Sequence, residues 1–528
     1  MNNRYRDYLV TKKLTCTVIL FFSIILFSLI IRIYALSNIP AGFFADEASI
    51  GYNAYTILTK GTDQYNVPYP LFFKAFGDYK SPIQIYTSII FVFLFGLNEF
   101  TVRMTSVLYG ILSIAALYFL VKELFLHDKQ KTLLALVSMF FLAISPWHIH
   151  ISRISLEGMM AFVFFTTFGL YLFIKAHNKP RLLPFAIVSF ALAMYSYFPA
   201  RLFIPIFGIG IFLYSFRFFL LHIKETVIST IILIVFMIPF FQNLLAPEGL
   251  ARWEQVNIFT TPPVNESVFH HIATNYLDHF SLDFLFLKGD IDMPGQVISR
   301  HSVRGVGELY LFQLPLFLLG LVSLIKRRNK LVFLLFLWLL LYPVGSMFTT
   351  DSNPFATRSI IGVIPFQIFS AIGFVYLFSF LLKRKKILYN GSLIIFIIIA
   401  GYSFIHFLSL YFRDYPNYSS DFWGWQYGPR DIISYFSLHE KEYDDLVMIP
   451  EFNAAEIFFK FYAPHTCNTC RLGTPSTLYS PNRKQLFALT PSYISSHANY
   501  SYKQVYIVYY PNGSIAFILT QVGQTITY

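Results

Sequence analysis

Residues 14 to 36, LTCTVILFFSIILFSLIIRIYAL, form a long apolar run with a single charged side chain, Arg32. About 20 apolar residues in a helix are enough to cross the ~30 Å hydrocarbon core of a bilayer. The run exceeds the roughly 7–15 apolar residues of a cleaved signal peptide, so it predicts a retained membrane anchor. An acidic pair, Asp46 and Glu47, follows closely.

The composition of the whole chain extends this prediction from one helix to many. Of the 528 residues, 56% are hydrophobic and only 13% are charged, whereas soluble domains carry about 25% charged residues. The net charge of +12 comes from short basic clusters between apolar runs. Such clusters are typical of the cytoplasmic loops of a polytopic membrane protein, and they argue against nucleic-acid binding.

The basic clusters predict a topology of eleven spans, because this number places every dense cluster inside. The N-terminus is then cytoplasmic and the C-terminal tail lies outside. The inside clusters fall at 4–13, 122–131, 175–181, 217–224, 326–330 and 383–386. The predicted spans are 14–36, 101–121, 133–149, 158–174, 182–198, 202–221, 226–245, 309–325, 331–349, 359–382 and 388–410.

One apolar run, residues 83–97, does not fit this pattern. It is only about 15 residues long, which is short for a span. Counting it as a crossing would move the cluster at 122–131 outside and invert all later clusters. We therefore predict a helix in the outer interface, inside a large first external loop, 37–100. A second large external loop is predicted at 246–308.

The chain after the last span is rich in tyrosine and predicts a small mixed α/β domain. Stretches 446–449, 504–510 and 515–519 have the composition of strands, and Pro511-Asn-Gly513 predicts a hairpin turn. Segments 431–438 and 454–462 predict helices. We expect residues 1–410 to form the membrane module and residues 411–528 the external domain.

Cys467 and Cys470 form a Cys-x-x-Cys pair in this tail. Such a pair can bind zinc, perform redox chemistry or close a short disulfide. No second pair of ligands accompanies it at a suitable spacing, so an extracytoplasmic position favours the disulfide.

The acidic pair after the first span is the first place to look for chemistry. Carboxylates at a low-dielectric boundary are costly unless they bind or react with something, although the start of a solvated loop is the other interpretation. Arginine and lysine bind phosphate, and a carboxylate near them can act as a general base. Such groups recur on the predicted outer face, together with two histidines: Lys80, His148, His150, Arg153, Glu157, Arg201 and Arg358.

These further residues also have purely structural interpretations. Arg201 and Arg358 can extend from helix ends toward lipid headgroups. Glu157 can stabilise the N-terminus of its helix. His148 and His150 can cap a helix end or meet headgroups, or they can bind a divalent metal ion.

Several motifs together resemble polytopic glycosyltransferases of the GT-C class. They are Asp46-Glu-Ala after the anchor, Lys80-Ser-Pro-Ile before the interfacial helix, Asn98-Glu-Phe-Thr-Val-Arg103, and Ser145-Pro-Trp ahead of Leu156-Glu-Gly-Met159. The resemblance is to the branch with the bacterial aminoarabinose transferase and the protein O-mannosyltransferases, over about residues 14–175. Asp46 matches the acidic residue of the family's first loop. Lys80-Ser-Pro is one residue longer than the family's Lys-Pro, and Glu157 stands where the family has Asp.

The resemblance implies transfer of a hexose or pentose from a polyprenyl-phosphate donor to a lipid, glycan or protein acceptor outside the membrane, which would be the bacterial cytoplasmic membrane. Asp46, Glu47 and Glu157 are the catalytic candidates. No cofactor is required, and a divalent metal is optional. The candidates for binding the donor phosphate are Lys80, Arg153, Arg201 and Arg358.

Two other functions are compatible with the composition. One is a transporter or flippase of lipid-linked saccharides, and the other is a ligase or polymerase of the O-antigen type. A transport path would be marked by polar residues in the middle of the spans. The predicted spans are nearly free of charge at mid-depth, which favours chemistry at the membrane surface.

Overall fold

The computed structural model describes residues 3–246, 249–260, 262, 266–292, 297–326, 332–350, 354–465 and 467–524. Six helices in this part are long and apolar enough to cross a membrane, and six shorter apolar helices accompany them. Up to residue 409 the helices are α1 (Asn3–Ile33), α2 (Ala45–Lys60), α3 (Pro82–Phe95), α4 (Glu99–Leu124), α5 (Lys131–Ile144), α6 (Pro146–Ile151), α7 (Met159–Ala176), α8 (Leu183–Met194), α9 (Ala200–Tyr214), α10 (Phe216–Leu221), α11 (Ile223–Leu244), α12 (Ala251–Val256), α13 (Val268–Asp278), α14 (Gln313–Lys326), α15 (Val332–Leu341), α16 (Val363–Arg384) and α17 (Lys386–Ser409).

The helical architecture predicted from the sequence is confirmed. Each of the eleven predicted spans overlaps one long helix or one of the shorter apolar helices, and the remaining short helix is α3, the predicted interfacial one. The predicted span 133–149 is too long, because Ser145 ends α5 and its side chain caps α6. Residues 327–331, in the densest predicted cytoplasmic cluster, lie outside the described residues.

The first loop folds into α2, a two-stranded hairpin and α3. Helix α2 begins after Phe44, with Asp46 and Glu47 in its first turn. Negative charge there stabilises the helix through its interaction with the helix dipole. The hairpin consists of β1 (Phe73–Ala75) and β2 (Asp78–Lys80), paired antiparallel with Ala75 opposite Asp78. Lys80 therefore lies at the end of β2, directly before α3.

The tail forms a five-stranded sheet in the order β4-β3-β5-β7-β6. Strands β3 (Asp445–Met448), β4 (Cys470–Leu472) and β5 (Gln485–Leu489) pair in parallel, while β6 (Tyr500–Tyr509) and β7 (Ile515–Gln524) add antiparallel. The predicted strands, hairpin turn and two helices are present, whereas β4 and β5 were not predicted. The helices of this part are α18 (Tyr415–Ser419), α19 (Pro429–His439), α20 (Glu456–Tyr462), α21 (Pro475–Leu478) and α22 (Pro491–Ser496). Cys467 and Cys470 form the expected disulfide.

The tail packs directly on the first loop. The ring of Phe461 in α20 lies 4.8 Å from that of Phe43, and Arg430 Nη1 lies 2.8 Å from Glu99 Oε2. Two segments at the same end of a bundle must be separated by an even number of crossings. The sequence predicts ten spans between the first loop and the tail, which is an even number.

Candidate active site

Asp46, in the first turn of α2, and Lys80, at the end of β2, form an ion pair. Lys80 Nζ donates a hydrogen bond of 2.7 Å to Asp46 Oδ1. The Lys80 side chain is only 6% exposed, whereas that of Asp46 is 27% exposed. The carboxylate of Asp46 can therefore be reached from solvent while its partner is held inside.

Two further carboxylates surround Lys80. Burial acts to lower the pKa of the Lys80 ammonium, but Asp46, Asp78 and Glu157 outweigh it and raise this pKa above its usual value. Lys80 is thus a fixed positive charge at neutral pH. Asp78, two residues earlier on β2, was missed by the sequence analysis, because a single aspartate in a loop gives no signal until the hairpin places it.

Arg201 adds a second cation to this cluster. It lies at the start of α9 and interacts electrostatically with Glu157 and Asp78. Its guanidinium is 5.6 Å from the ring of Phe72 and 5.4 Å from that of Phe240. The structure therefore brings together three carboxylates and two cations: Asp46, Asp78, Glu157, Lys80 and Arg201.

An apolar cleft of about 330 Å³ adjoins this cluster. It lies between α3, α8 and α11, and its walls include Pro82, Tyr195 and Phe236. Pro82 follows Lys80 by two residues. Tyr195 stacks on Phe72, 5.5 Å between ring centroids, and Phe72 contacts Arg201. The cleft therefore lies near the two cations, with Pro82 on the side of Lys80 and Tyr195 on the side of Arg201.

Glu47 is directed away from this cluster. Its side chain is fully buried, and its carboxylate accepts from Arg103 Nε at 3.1 Å and Nη2 at 2.9 Å. The backbone N–H of Ser155 adds a third bond of 2.8 Å. Glu47 therefore ties the first loop to the segment between α6 and α7. This geometry does not support the catalytic role predicted from its position beside Asp46.

Arg153 also lies elsewhere. It is fully buried, and its two Nη atoms donate to the carbonyl oxygens of Ile31, Arg32 and Ile39 at 2.7, 2.9 and 3.0 Å. These contacts hold the end of the first span in place. The predicted role in phosphate binding is not supported by this placement.

Arg358 belongs to a different group near the later loops. Its Nη1 donates to Thr349 Oγ1 at 2.7 Å, and its guanidinium lies 4.0 Å from the ring of Phe355. It acts electrostatically on His301. The sequence predicted that Arg358 binds the donor phosphate; the contacts described here place its guanidinium beside Thr349 and Phe355 instead of beside Lys80.

The two histidines considered as metal ligands are engaged in the structure. His148 contacts Arg32 Nη2 through Nδ1 at 2.7 Å and Ser113 Oγ through Nε2 at 2.8 Å. His150 Nε2 lies 2.8 Å from the carbonyl oxygen of Arg300. Within the described part of the chain, no three His, Cys, Asp or Glu side chains are grouped so that they could hold a metal ion.

A buried acidic cluster in the loop at 246–308 was not recognised from sequence. Asp290 accepts from Ser302 Oγ at 2.7 Å and from the Ala356 N–H at 2.9 Å, and His301 Nδ1 lies 3.7 Å from its Oδ2. Burial raises the pKa of Asp290 to about 7, against an ordinary value of 3.8. Glu308 is also buried, and burial raises its pKa too. The polar character of the loop was visible in the sequence, but its burial was not.

The arrangement of apolar helices, a first loop with an acidic residue and a C-terminal domain on the same face defines a fold class. It is the fold of GT-C-type membrane glycosyltransferases. Residues 79–240 match the sequence model of a family described as dolichyl-phosphate-mannose-protein mannosyltransferase. A comparison with curated protein sequences finds no match.

Solved structures of two kinds are similar to this chain. ArnT from Cupriavidus metallidurans, bound to undecaprenyl phosphate, aligns with a TM-score of 0.58 at 11% identity, covering 95% of this chain and 97% of that one. The same protein in the apo state gives 0.56 at 12% identity, covering 96% and 98%. The Archaeoglobus fulgidus oligosaccharyltransferase tethered with an acceptor peptide gives 0.53 at 13% identity, covering 96% and 74%. At these identities the likeness establishes a shared fold.

Proposed function

We propose that this protein is a glycosyltransferase that moves a hexosyl or pentosyl group from a polyprenyl-phosphate donor to an acceptor outside the membrane. The observation that carries the proposal is the contact of 2.7 Å between Asp46 and Lys80, in a charged cluster that lies near an apolar cleft. Transfer from a lipid-linked phosphosugar requires a cation for the phosphate, an accessible carboxylate for the acceptor and an apolar cleft for the lipid.

The donor has two chemically different parts, and each has a matching surface. Lys80 and Arg201 can bind the phosphate, since an ammonium and a guanidinium both donate to phosphate oxygens. The cleft between α3, α8 and α11 can receive the first isoprenoid units. The family match to residues 79–240 begins at β2 and includes α3, α8 and most of α11, which supports this assignment.

Asp46 is then the group that activates the acceptor. A hydroxyl of the acceptor gives its proton to the Asp46 carboxylate and attacks the anomeric carbon. The bond from that carbon to the phosphate oxygen breaks, and its electron pair leaves with the lipid phosphate. Lys80 and Arg201 stabilise the negative charge that develops there. When the phosphate replaces Asp46 as the acceptor of the hydrogen bond from Lys80, the Asp46 carboxylate becomes available to act as the base.

The same two cations make a metal ion optional in this proposal. They can neutralise the leaving phosphate by themselves, so we expect activity to survive removal of divalent ions. The test is a rate measurement before and after dialysis against a chelator. A loss that added Mg²⁺ or Mn²⁺ restores would show that the reaction depends on a metal.

The transport alternative gains no support from the spans. The two arginines near span ends, Arg32 and Arg103, are fully buried and bonded to the protein itself. Arg32 and Arg103 therefore hold segments of the protein together, and they do not mark a path for a saccharide.

The proposed activity can be tested on the purified full-length chain in lipid vesicles. Synthetic short-chain polyprenyl-phosphate hexoses and pentoses are offered with an extract of envelope lipids and glycans, and release of polyprenyl phosphate is measured. We expect one donor class to be consumed in an acceptor-dependent manner. If no donor is consumed, while vesicles carry a saccharide across the bilayer, the protein is a transporter.

The orientation is a separate proposal, in which the C-terminal domain lies outside. In a Cys16→Ser background, Asn512→Cys at the exposed hairpin tip and Lys129→Cys in the α4–α5 turn give matched single sites. A membrane-impermeant thiol reagent should label Asn512→Cys in intact cells, and Lys129→Cys only after lysis. The reverse pattern would place the Asp46 cluster in the cytoplasm.

A further inference from the structure

A cavity of about 380 Å³ lies between the loop after α18 and the C-terminal sheet. Glu451 and Thr490, which line it, follow the carboxyl ends of β3 and β5, and these two strands are parallel neighbours. In open α/β sheets, ligands bind in the crevice outside the carboxyl ends of such strands. Position alone therefore makes this cavity a candidate binding site, separate from the Asp46 cluster.

The lining of the cavity selects a chemical class of ligand. Its aromatic members are Phe422, Tyr427, Tyr510 and Phe517, and its polar members carry carboxylate, hydroxyl or amide groups. None of the described lining residues is lysine, arginine or histidine, so an anion such as phosphate has no partner there. Aromatic faces with hydroxyl, carboxylate and amide groups suit a sugar ring, since its C–H faces are apolar and its hydroxyls both donate and accept.

Gln426 is the unusual member of this lining. It is 2% exposed, yet neither its amide oxygen nor its amide nitrogen has a hydrogen-bond partner. Buried polar groups are nearly always paired, so an amide with both atoms unpaired calls for an explanation. A hydroxyl-bearing ligand supplies both a donor and an acceptor. A quaternary ammonium supplies neither.

The backbone at Gln426 is also held in a costly conformation. Its φ of 51° lies in the left-handed region, which is rare for residues other than glycine. The conformation is fixed by its own N–H donating to the carbonyl oxygen of Asp421 at 3.0 Å and by Tyr427 N–H donating to that of Ser420 at 3.0 Å. Strain that the surroundings enforce at a cavity wall is typical of ligand-binding positions.

The loop is anchored on both sides before any ligand arrives. Asp421 Oδ1 accepts from Ser299 Oγ at 2.8 Å and from Gly424 N–H at 2.6 Å. On the other side, the ring of Trp425 lies 5.5 Å from the guanidinium of Arg103 in α4, so the loop also packs against that helix. The cavity is therefore preformed, and it is built on the element that also packs beside the Glu47–Arg103 pair.

We infer that this cavity is a binding site for a neutral saccharide, which stacks on Tyr510 and Phe422 and hydrogen-bonds to Gln426 and Glu451. The inference rests on the cavity alone and does not require the proposed transfer reaction. A glycan held there lies on the same face of the molecule as Asp46, as a neutral segment of an extended acceptor or product would.

Binding is tested with the full-length protein in nanodiscs and no donor present. Fluorescently labelled maltotriose, mannotriose and chitotriose are the neutral probes, sialyllactose is the acidic one and choline chloride the cationic one. We expect at least one neutral probe to bind, and Tyr510→Ala to weaken it about tenfold or more through loss of the aromatic face. Tyr509→Ala, an exposed neighbour outside the lining, is the matched control and should bind like wild type.

Two more variants separate the possible outcomes. Glu451→Gln keeps hydrogen bonding and should change saccharide affinity by less than about threefold, since only a cationic ligand needs the charge. Asp46→Asn should bind the same probes unchanged, so that failure of catalysis and failure of this site are told apart. The inference is overturned if no neutral probe binds, if binding is equal in Tyr510→Ala and Tyr509→Ala, or if choline binds instead and Glu451→Gln abolishes it.

Discussion

Two ion pairs formed by adjacent residues of one helix turn have opposite characters. Asp46 is paired with Lys80 through one hydrogen bond and remains 27% exposed. Glu47 is paired with Arg103 through two hydrogen bonds, accepts a third from Ser155, and is fully buried together with its partner. Consecutive helical residues point about 100° apart, so Asp46 faces Lys80 and Glu47 faces the packed interior. Position in the chain does not distinguish a solvent-accessible carboxylate from a structural one, because the difference arises from the partners that the fold brings to each.

The strongest test of this comparison is Asp46→Asn. The amide keeps the shape and a hydrogen-bonding group but cannot accept the proton, so kcat should fall about 10²–10⁴-fold. The KM for the donor should change little. The measurement is turnover of a polyprenyl-phosphate sugar in vesicles at saturating donor. Near-normal turnover would transfer the role of base to Glu157.

Glu47→Gln should show the reverse behaviour. It leaves the Arg103 guanidinium buried without a compensating charge, which costs about 3 kcal/mol of stability. We expect less protein to remain monodisperse after heating, measured by size-exclusion chromatography. Turnover per folded molecule should stay within a fewfold of wild type. A large loss of turnover with normal stability would restore Glu47 as a catalytic residue.

Lys80→Ala should act on the donor. One charge-assisted contact to phosphate is worth about 1.5–3 kcal/mol, so the KM for the donor should rise roughly 10- to 100-fold. Lys60→Ala, at the exposed C-terminal end of helix α2, is the control for a general change in charge. Equal kinetics for the two variants would show that Lys80 does not bind the phosphate.

The choice between two arginines gives a smaller effect. Arg201→Ala should weaken donor use about tenfold, since Arg201 shares the cluster of Asp78 and Glu157 with Lys80. Arg358→Ala should change it less, because that guanidinium contacts Thr349 and Phe355. Donor titrations of both variants decide the matter, and a larger effect of Arg358→Ala would move the phosphate site toward Asp290.

The smallest expected effect concerns pH. Asp290 has a folded-state pKa of about 7, raised by burial from an ordinary 3.8. Between these values the unfolded chain releases a proton that the folded protein keeps, so this group makes stability fall as pH rises from about 4 to 7. Asp290→Asn should remove this contribution, so that the melting temperature of the variant falls less, or rises more, with pH over this range than that of wild type. An unchanged slope would contradict the raised pKa.

The sequence predicted more of the fold than of the site. Spans were found because apolar length and basic loops are local signals, and the strands at 504–510 and 515–519 because a turn motif separates them. Strand β4 has three residues and β5 is uniformly buried, so neither shows the alternation that identifies a strand. Asp78 and the buried pair of Asp290 and His301 were missed for a related reason, since a polar residue in a loop carries no mark of burial.

By itself, then, the sequence determined a polytopic membrane chain with an acidic residue and cations on one face. Only the tertiary structure decided which of them meet. Lys80 comes from a hairpin, Glu157 from the segment between α6 and α7, and Arg201 from the start of α9. Their convergence depends on helix packing across more than a hundred residues. The same packing enclosed Glu47 and Arg153. Burial and pairing arise from long-range contacts, and these decide whether a charge acts on a substrate or holds the protein together.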